Sequence, residues 1–178
     1  MELAFPLFDR SEGHELAEFL TSEEWPFHAG PPQTRESAEA RIASGGFDTG
    51  HDRTYWIVAD NESVGMIHIE DLGDGNPLFD LRLRSSHRGR GLGTAAVGWL
   101  TATLFGEFPE ISRIEATTRQ DNIAMRRVLV KCGFAKEAHY RQEWPSESGP
   151  RYDSIGYAIL RDDWASGATT PVNWEDGP

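Results

Sequence analysis

The chain has 178 residues, enough for one well-buried core, and that length predicts a single domain with short trimmings. Its 29 acidic against 17 basic residues give a formal charge of −12, which opposes nucleic-acid and anionic membrane surfaces and suits either plain solubility or a cationic substrate. The lone Cys132 excludes an internal disulfide, and the six histidines at 14, 28, 51, 68, 87 and 139 lack metal-ligand spacing. No apolar run has the length of a signal-peptide core or a membrane span, so a cytoplasmic protein without a metal is expected.

Within residues 12–20 the spacing of Leu16, Phe19 and Leu20 predicts a short amphipathic helix, broken by Trp25-Pro26-Phe27 and by Pro31-Pro32. Thr34 is placed to cap a second helix that turns Ala38 and Ile42 inward and stops at Gly45-Gly46. The aromatic and β-branched run TYWIVA, the polar turn Asn61-Glu62-Ser63 and VGMIHIE predict an antiparallel hairpin, with Gly65 marking a bulge. After a turn rich in Gly, Asp and Asn, FDLRLR alternates: Phe79, Leu81 and Leu83 lie on one face, Asp80, Arg82 and Arg84 on the other. The glycine-rich run 88–93 follows directly and feeds a helix with Leu92, Ala96, Leu100, Leu104 and Phe108 at four-residue steps, closed near Pro109.

ISRIEATT predicts a further strand, and residues 122–132 a helix with Met125, Val128, Leu129 and Cys132 on one stripe, ended by Gly133. EAHYRQEW and DSIGYAIL form two last strands around a Ser/Gly/Pro turn, and residues 165–178 an irregular, partly disordered tail. Hairpins at both ends and one strand-helix-strand crossover between them predict an α+β fold, a mixed and mostly antiparallel sheet with helices on its faces.

Arg88, Gly89, Arg90, Gly91, Leu92, Gly93 and Thr94 stand where a strand becomes a helix, so backbone N–H groups point outward at the positive end of the helix dipole. Glycine removes the Cβ atoms that would hold a phosphate away, and the two arginines add charge beside it. The same glycines could serve only a tight turn. Residues 91–96 also satisfy the dinucleotide pattern G-x-G-x-x-A with Glu115 about twenty residues on. A nucleotide-dependent oxidoreductase would need more strand-helix-strand units than this chain offers, and the Gly-Lys-Ser/Thr of a nucleoside-triphosphate loop is absent.

Arg88-Gly89-Arg90-Gly91-Leu92-Gly93 resembles the Q/R-x-x-G-x-G/A signature of the GNAT acetyltransferases, and Asn122 followed by Cys132-Gly133-Phe134 resembles the second hallmark of that superfamily. The resemblance covers about residues 53–164, within a single domain of residues 1–166, and the ending DSIGYAILRDDW is similar to the branch containing the ribosomal-protein N-terminal acetyltransferases. Residues 1–50 match loosely and correspond to a helical acceptor side; residues 167–178 are tail. The resemblance implies that the backbone of Leu81, Arg82 and Leu83 and of residues 89–94 holds acetyl-CoA, with Asn122 bonding the pantetheine while capping its helix.

It also implies acetyl transfer to a primary amine, on a protein N-terminus or a small cation, by direct attack in a ternary complex. An alkylammonium titrates near about 10.4 and a protein N-terminus near about 8, so a base is needed. Glu115 stands in the strand where relatives often carry a catalytic Glu; Asp80 is second and Glu70 third, each alternatively a solvated or ion-paired carboxylate. Positions where relatives place a Tyr or Ser acid hold Leu129 and Met125, so no acid is assigned; Tyr140 or Tyr157 could reach in from the late strands, the alternative being a core tyrosine with its hydroxyl satisfied. That departure keeps open a catalytically inactive acyl-CoA-binding module. Cys132, on the apolar stripe at a helix C-terminus, reads as structural. Trp25, Phe27 and His28 occupy the region that covers the acceptor site in relatives, and a homodimer through the late strands is open.

Overall fold

The computed structural model describes residues 2–28, 33–145 and 149–175, so the Pro31-Pro32 break and part of the late Ser/Gly/Pro turn lie outside the described residues. Two compact units divide the chain at Ala96 and Val97, within one helix.

The first unit is a four-stranded antiparallel sheet in the order β1-β2-β3-β4, with β1 at Leu3–Ala4, β2 at Arg53–Ala59, β3 at Glu62–Glu70 and β4 at Leu78–Leu83. β1 was not foreseen: it is a two-residue edge strand beside Pro6, too short to show an alternation of its own. Helices α1 (Gly13–Thr21) and α2 (Arg35–Ala43) share a core with the sheet, in which Leu16, Phe19, Leu20, Ala38 and Ile42 meet Trp56 and Met66. Thr34 caps α2 as expected, its hydroxyl accepting from the Ser37 N–H at 3.1 Å.

Gly65 lies beside the irregularity in the β2–β3 ladder, where pairing passes from Ile57–Gly65 to Val58–Ser63 and leaves Val64 as the extra residue. The glycine itself is required by its other neighbour, because a Cβ there would stand 2.4 Å from the carbonyl oxygen of Arg82 on β4. Backbone cannot yield as a side-chain tip can, so Gly65→Ala is expected to cost about 2–3 kcal/mol by forcing β3 and β4 apart. Urea denaturation checks this, and a cost within experimental error would show that the strands accommodate the methyl group.

The second unit is a three-stranded antiparallel sheet in the order β5-β7-β6, with β5 at Arg113–Arg119, β6 at Ala135–Trp144 and β7 at Tyr152–Leu160. Helix α3 (Leu92–Glu107) runs from the first unit into the second, burying Leu92, Ala96, Leu100 and Leu104 at the predicted steps. Helix α4 (Ile123–Lys131) ends in a left-handed Gly133 with φ +87°. The Phe134 N–H donates to the Leu129 carbonyl at 3.0 Å and the Gly133 N–H to Val130 at 3.2 Å, the Schellman pattern. Cys-Gly-Phe is thus a helix stop that drives Phe134 into the core, where it is 3% exposed.

Residues 165 and 166 belong to a short helix, α5 (Arg161–Ser166), rather than to the tail. The chain beyond it is tied back, since Asp163 accepts from the Thr170 N–H at 3.0 Å and hydroxyl at 2.5 Å. Arg161 donates to three carbonyls, those of Ile111 at 2.7 Å and of Phe105 and Phe108 at 2.6 Å, closing the C-terminal end of α3. No helix is long and apolar enough to cross a membrane among the described residues.

Candidate active site

In the first unit β4 leads through a 3-10 turn, Ser85–His87, into the glycine run and α3. Gly89 and Gly91 have φ of +76° and +86°, which L residues rarely adopt, and nothing lies within 4 Å of where their Cβ atoms would be. The loop therefore bends by means of glycine and leaves open space where a side chain at either position would stand. The Gly91 carbonyl accepts the first helical bond from Ala95 at 3.1 Å, so the N–H groups of residues 92–94 stand at the free end of α3.

The two loop arginines play different parts. Arg90 is exposed. Arg88 donates from Nε to the Leu83 carbonyl at 2.9 Å and from Nη2 to Glu23 at 3.1 Å, while Glu23 also accepts the Ser85 N–H at 2.9 Å. Glu23 thereby ties the segment after α1 to the start of the loop, a role its lone position in the sequence did not signal.

On β4 the alternating faces exist, but the charged one is the more enclosed: Arg82 is 8% exposed. Its Nε and Nη2 donate to one oxygen of Asp80 at 2.9 and 2.8 Å, and His28 Nδ1 lies 2.8 Å from the other. Burial pushes the Asp80 carboxyl up, yet the close approach of His28 and then the charge and hydrogen bonds of Arg82 outweigh it and hold the group well below the usual 3.8. That stabilisation is present above the ordinary value and fades as pH falls through the folded one. Asp80→Asn is therefore expected to be less stable than wild type at neutral pH, with a gap that narrows in acid; thermal melts at several pH values measure it.

Trp25 is anchored by its Nε1–H to the Leu20 carbonyl at 2.8 Å and by Phe19, with ring centroids 5.1 Å apart. It also carries the guanidinium groups of Arg82 and Arg88, each 5.6 Å from the ring. Trp25 is thus a packing anchor that also lies under two arginines. Glu70, the third carboxylate, stands 3.8 Å from Arg41 and 3.4 Å from the buried His68.

In the second unit Glu115 accepts from Arg113 Nε at 2.8 Å, and Arg113 reaches Glu137 at 2.6 Å. Burial lowers the Arg113 affinity for its proton, but hydrogen bonds to the two carboxylates raise it beyond the usual value. Asn122 caps α4 by accepting the Met125 N–H at 3.2 Å and donates to the Thr118 hydroxyl at 3.0 Å. One amide proton and one lone pair remain for a ligand.

Tyr157 is buried and its hydroxyl accepts from Arg126 Nε at 3.1 Å, so its proton stays available, whereas Tyr140 is 52% exposed. Burial pushes the Cys132 thiol up, away from the reactive thiolate. Cys132→Ala is expected to leave acetyl transfer within about twofold of wild type in a thiol-release assay; loss of turnover would instead mark a covalent role. Among the described residues no cluster of three or more His, Cys, Asp or Glu could hold a metal ion.

A search of curated proteins finds no match to the sequence. Among solved structures, the fold is similar to a spermidine N-acetyltransferase SpeG chimera from Vibrio cholerae and hSSAT, with a TM-score of 0.80 at 15% identity over 93% of this chain and 99% of that one. It is also similar to RimL, a ribosomal L7/L12 α-N-protein acetyltransferase in complex with coenzyme A, with a TM-score of 0.75 at 20% identity over 89% and 93%. A dodecameric spermidine N-acetyltransferase from Vibrio cholerae matches at 0.75 and 15% identity over 91% and 95%. At such identities the likeness shows the mixed α+β fold. Residues 6–135 match the acetyltransferase (GNAT) domain family, whose members use acetyl-CoA, and on that match the chain belongs to the GNAT family of N-acetyltransferases.

Proposed function

We propose that the chain transfers acetyl from acetyl-CoA to a primary amine by direct attack within a ternary complex. The observation that carries this reading is the loop before α3, where Gly89 and Gly91 adopt positive φ with open space before them at a helix N-terminus. The backbone of Leu81, Arg82 and Leu83 and of Gly89, Arg90, Gly91, Leu92, Gly93 and Thr94 would hold the pantetheine and pyrophosphate. Arg88 would act by shaping the loop through Leu83 and Glu23, and Asn122 would offer its remaining amide positions to the pantetheine. Residues 1–166 form one acetyltransferase domain in this reading.

The carboxylates proposed for proton removal are Glu115 and Asp80. Glu115 is half-exposed and shares Arg113 with Glu137; Asp80 is engaged on both oxygens. The acceptor is a protein N-terminus or a small cationic amine, the two kinds named for RimL and SpeG, and the charge of −12 favours a cation. A homodimer is the proposed smallest assembly.

Thiol release from acetyl-CoA, screened over ribosomal-protein N-terminal peptides, polyamines and aminoglycosides, tests the reading. Acceptor-dependent turnover is expected. Binding of acetyl-CoA without turnover on any amine would favour an acyl-CoA-binding module, and no binding would sink the proposal.

A further inference from the structure

Tyr157 stands in β7 opposite Ala116 of β5, in the middle strand of its sheet, and is 4% exposed. Arg126 of α4 lies against its hydroxyl, with Nε 3.1 Å from the oxygen, while Nη1 donates to the Gln120 carbonyl at 2.8 Å. A guanidinium has donors only, so the direction of the first bond is fixed: the tyrosine oxygen accepts, and its own proton points elsewhere. Among the described residues no acceptor takes that proton. Buried tyrosine hydroxyls ordinarily find one, and a buried donor left unspent costs about 1–3 kcal/mol, so this proton calls for an acceptor atom from outside the chain.

Asn122 connects the hydroxyl to the co-substrate. Opposite residues of an antiparallel pair share a face, so Thr118 and Ala116 of β5 lie on the face of Ile155 and Tyr157 of β7. Tyr157 is thus the diagonal neighbour of Thr118, at a spacing of about 7–8 Å that an aromatic side chain spans. Thr118 receives the Asn122 amide proton at 3.0 Å, and Asn122 and Arg126 share one face of α4, joined by a helical bond of 3.1 Å. Both are half-buried, so the buried ring ends at the margin of the core. Only two methylene groups separate the last amide nitrogen of coenzyme A from its sulfur, and a pantetheine held by Asn122 carries that sulfur to the Tyr157 hydroxyl.

We propose that Tyr157 is the catalytic residue that meets the departing sulfur and that Arg126 is its positioning residue. The inference rests on the reading that Asn122 holds the pantetheine. The neutral amine nitrogen bonds to the thioester carbonyl carbon, the C–S bond breaks with its electron pair passing to sulfur, and the Tyr157 O–H donates a hydrogen bond to the thiolate so formed. The nitrogen gives its surplus proton to the carboxylate base, and the thiolate takes one from solvent as CoA leaves. A hydrogen bond to an ionised acceptor is about twice as strong as one between neutral groups, so the contact strengthens as charge reaches the sulfur and favours the transition state over the bound thioester. Met125 and Leu129, on the same helix as Asn122, carry no hydroxyl, and the donor comes from β7 instead.

Titration calorimetry of the full chain with CoA and with desulfo-CoA, at about pH 7 and about pH 9, tests this without any acceptor. The thiol ionises across that range, so the preference of wild type for CoA over desulfo-CoA should grow about tenfold. Tyr157→Phe, which removes one oxygen and keeps the ring, should abolish that gain while binding desulfo-CoA as wild type does. Arg126→Met, with the hydroxyl present but no longer held, should lose most of it. In thiol-release assays with spermidine and an N-terminal peptide, Tyr157→Phe should lower kcat about 100-fold with KM for acetyl-CoA in place. A wild type without the gain, or a Tyr157→Phe variant that keeps it, overturns the assignment. Failure of the wild-type chain to bind either ligand would instead defeat the functional reading beneath it.

Discussion

Gly91→Val is expected to weaken acetyl-CoA binding by about 100-fold while leaving the chain folded. At φ +86° an L residue pays roughly 1–2 kcal/mol, and a β-branched side chain more, so the loop would swing toward negative φ and turn its amides from their common focus. If it kept its path, the valine methyls would enter the space before α3 that a pyrophosphate needs. Either response acts on the same ligand. Gly91→Ala, which keeps the strain and loses most of the bulk, should fall between valine and wild type. Isothermal titration with CoA separates the cases, and an unchanged dissociation constant for Gly91→Val would show that phosphate is held elsewhere.

The largest expected loss of stability follows from Arg161→Met. Three carbonyls, on Phe105, Phe108 and Ile111, lose a charged donor at once, and each unsatisfied group costs about 1–3 kcal/mol to leave unpaired. Arg161 is half-buried, so water recovers part of this, and a net loss of about 3–4 kcal/mol is expected, lowering Tm by roughly 10 °C. Methionine keeps much of the apolar stem but loses the guanidinium that lies 4.9 Å from the Phe105 ring centroid, so the expected loss includes that contact beside the hydrogen bonds. Arg161→Lys should recover about a third, because an ammonium on one stem cannot reach three directions as a planar guanidinium does. A loss below about 1 kcal/mol in urea denaturation would show that solvent serves these carbonyls as well as the arginine does.

Much of the architecture was legible because its signals are local. Thr34 and Asn122 cap helices by bonding backbone three residues on, and Gly133 stops α4 through its own φ. Alternation and four-residue spacing likewise belong to single elements, as Ala38, Ile42, Leu100 and Leu104 show. The glycine loop was legible for the same reason, since positive φ at Gly89 and Gly91 is a property of those residues alone.

What stayed hidden depends on pairings far apart in sequence. Nothing near Glu23 announces Arg88 and Ser85, and nothing near His28 announces Asp80, because those partners meet only when the segment after α1 lies along β4. Arg82 was read onto a polar face without its burial, which requires Trp25 and Asp80 together to be tolerable. Arg161 looks like any surface arginine until three carbonyls converge on it.

The strand order β5-β7-β6 places the last strand made in the middle of its sheet. β5 and β6 cannot meet as neighbours, so neither has its partner until β7 has been synthesised, about forty residues after β5 ends. At about 5–20 residues per second, the β5 edge waits roughly 2–8 s on the ribosome, while four strands of the first unit already have all theirs. That interval is when exposed strand edges invite the wrong partner. During synthesis the β5 and β6 edges therefore stay open for as long as residues 120–160 take to be made, an interval absent from a refolding experiment in which all three strands are present at once.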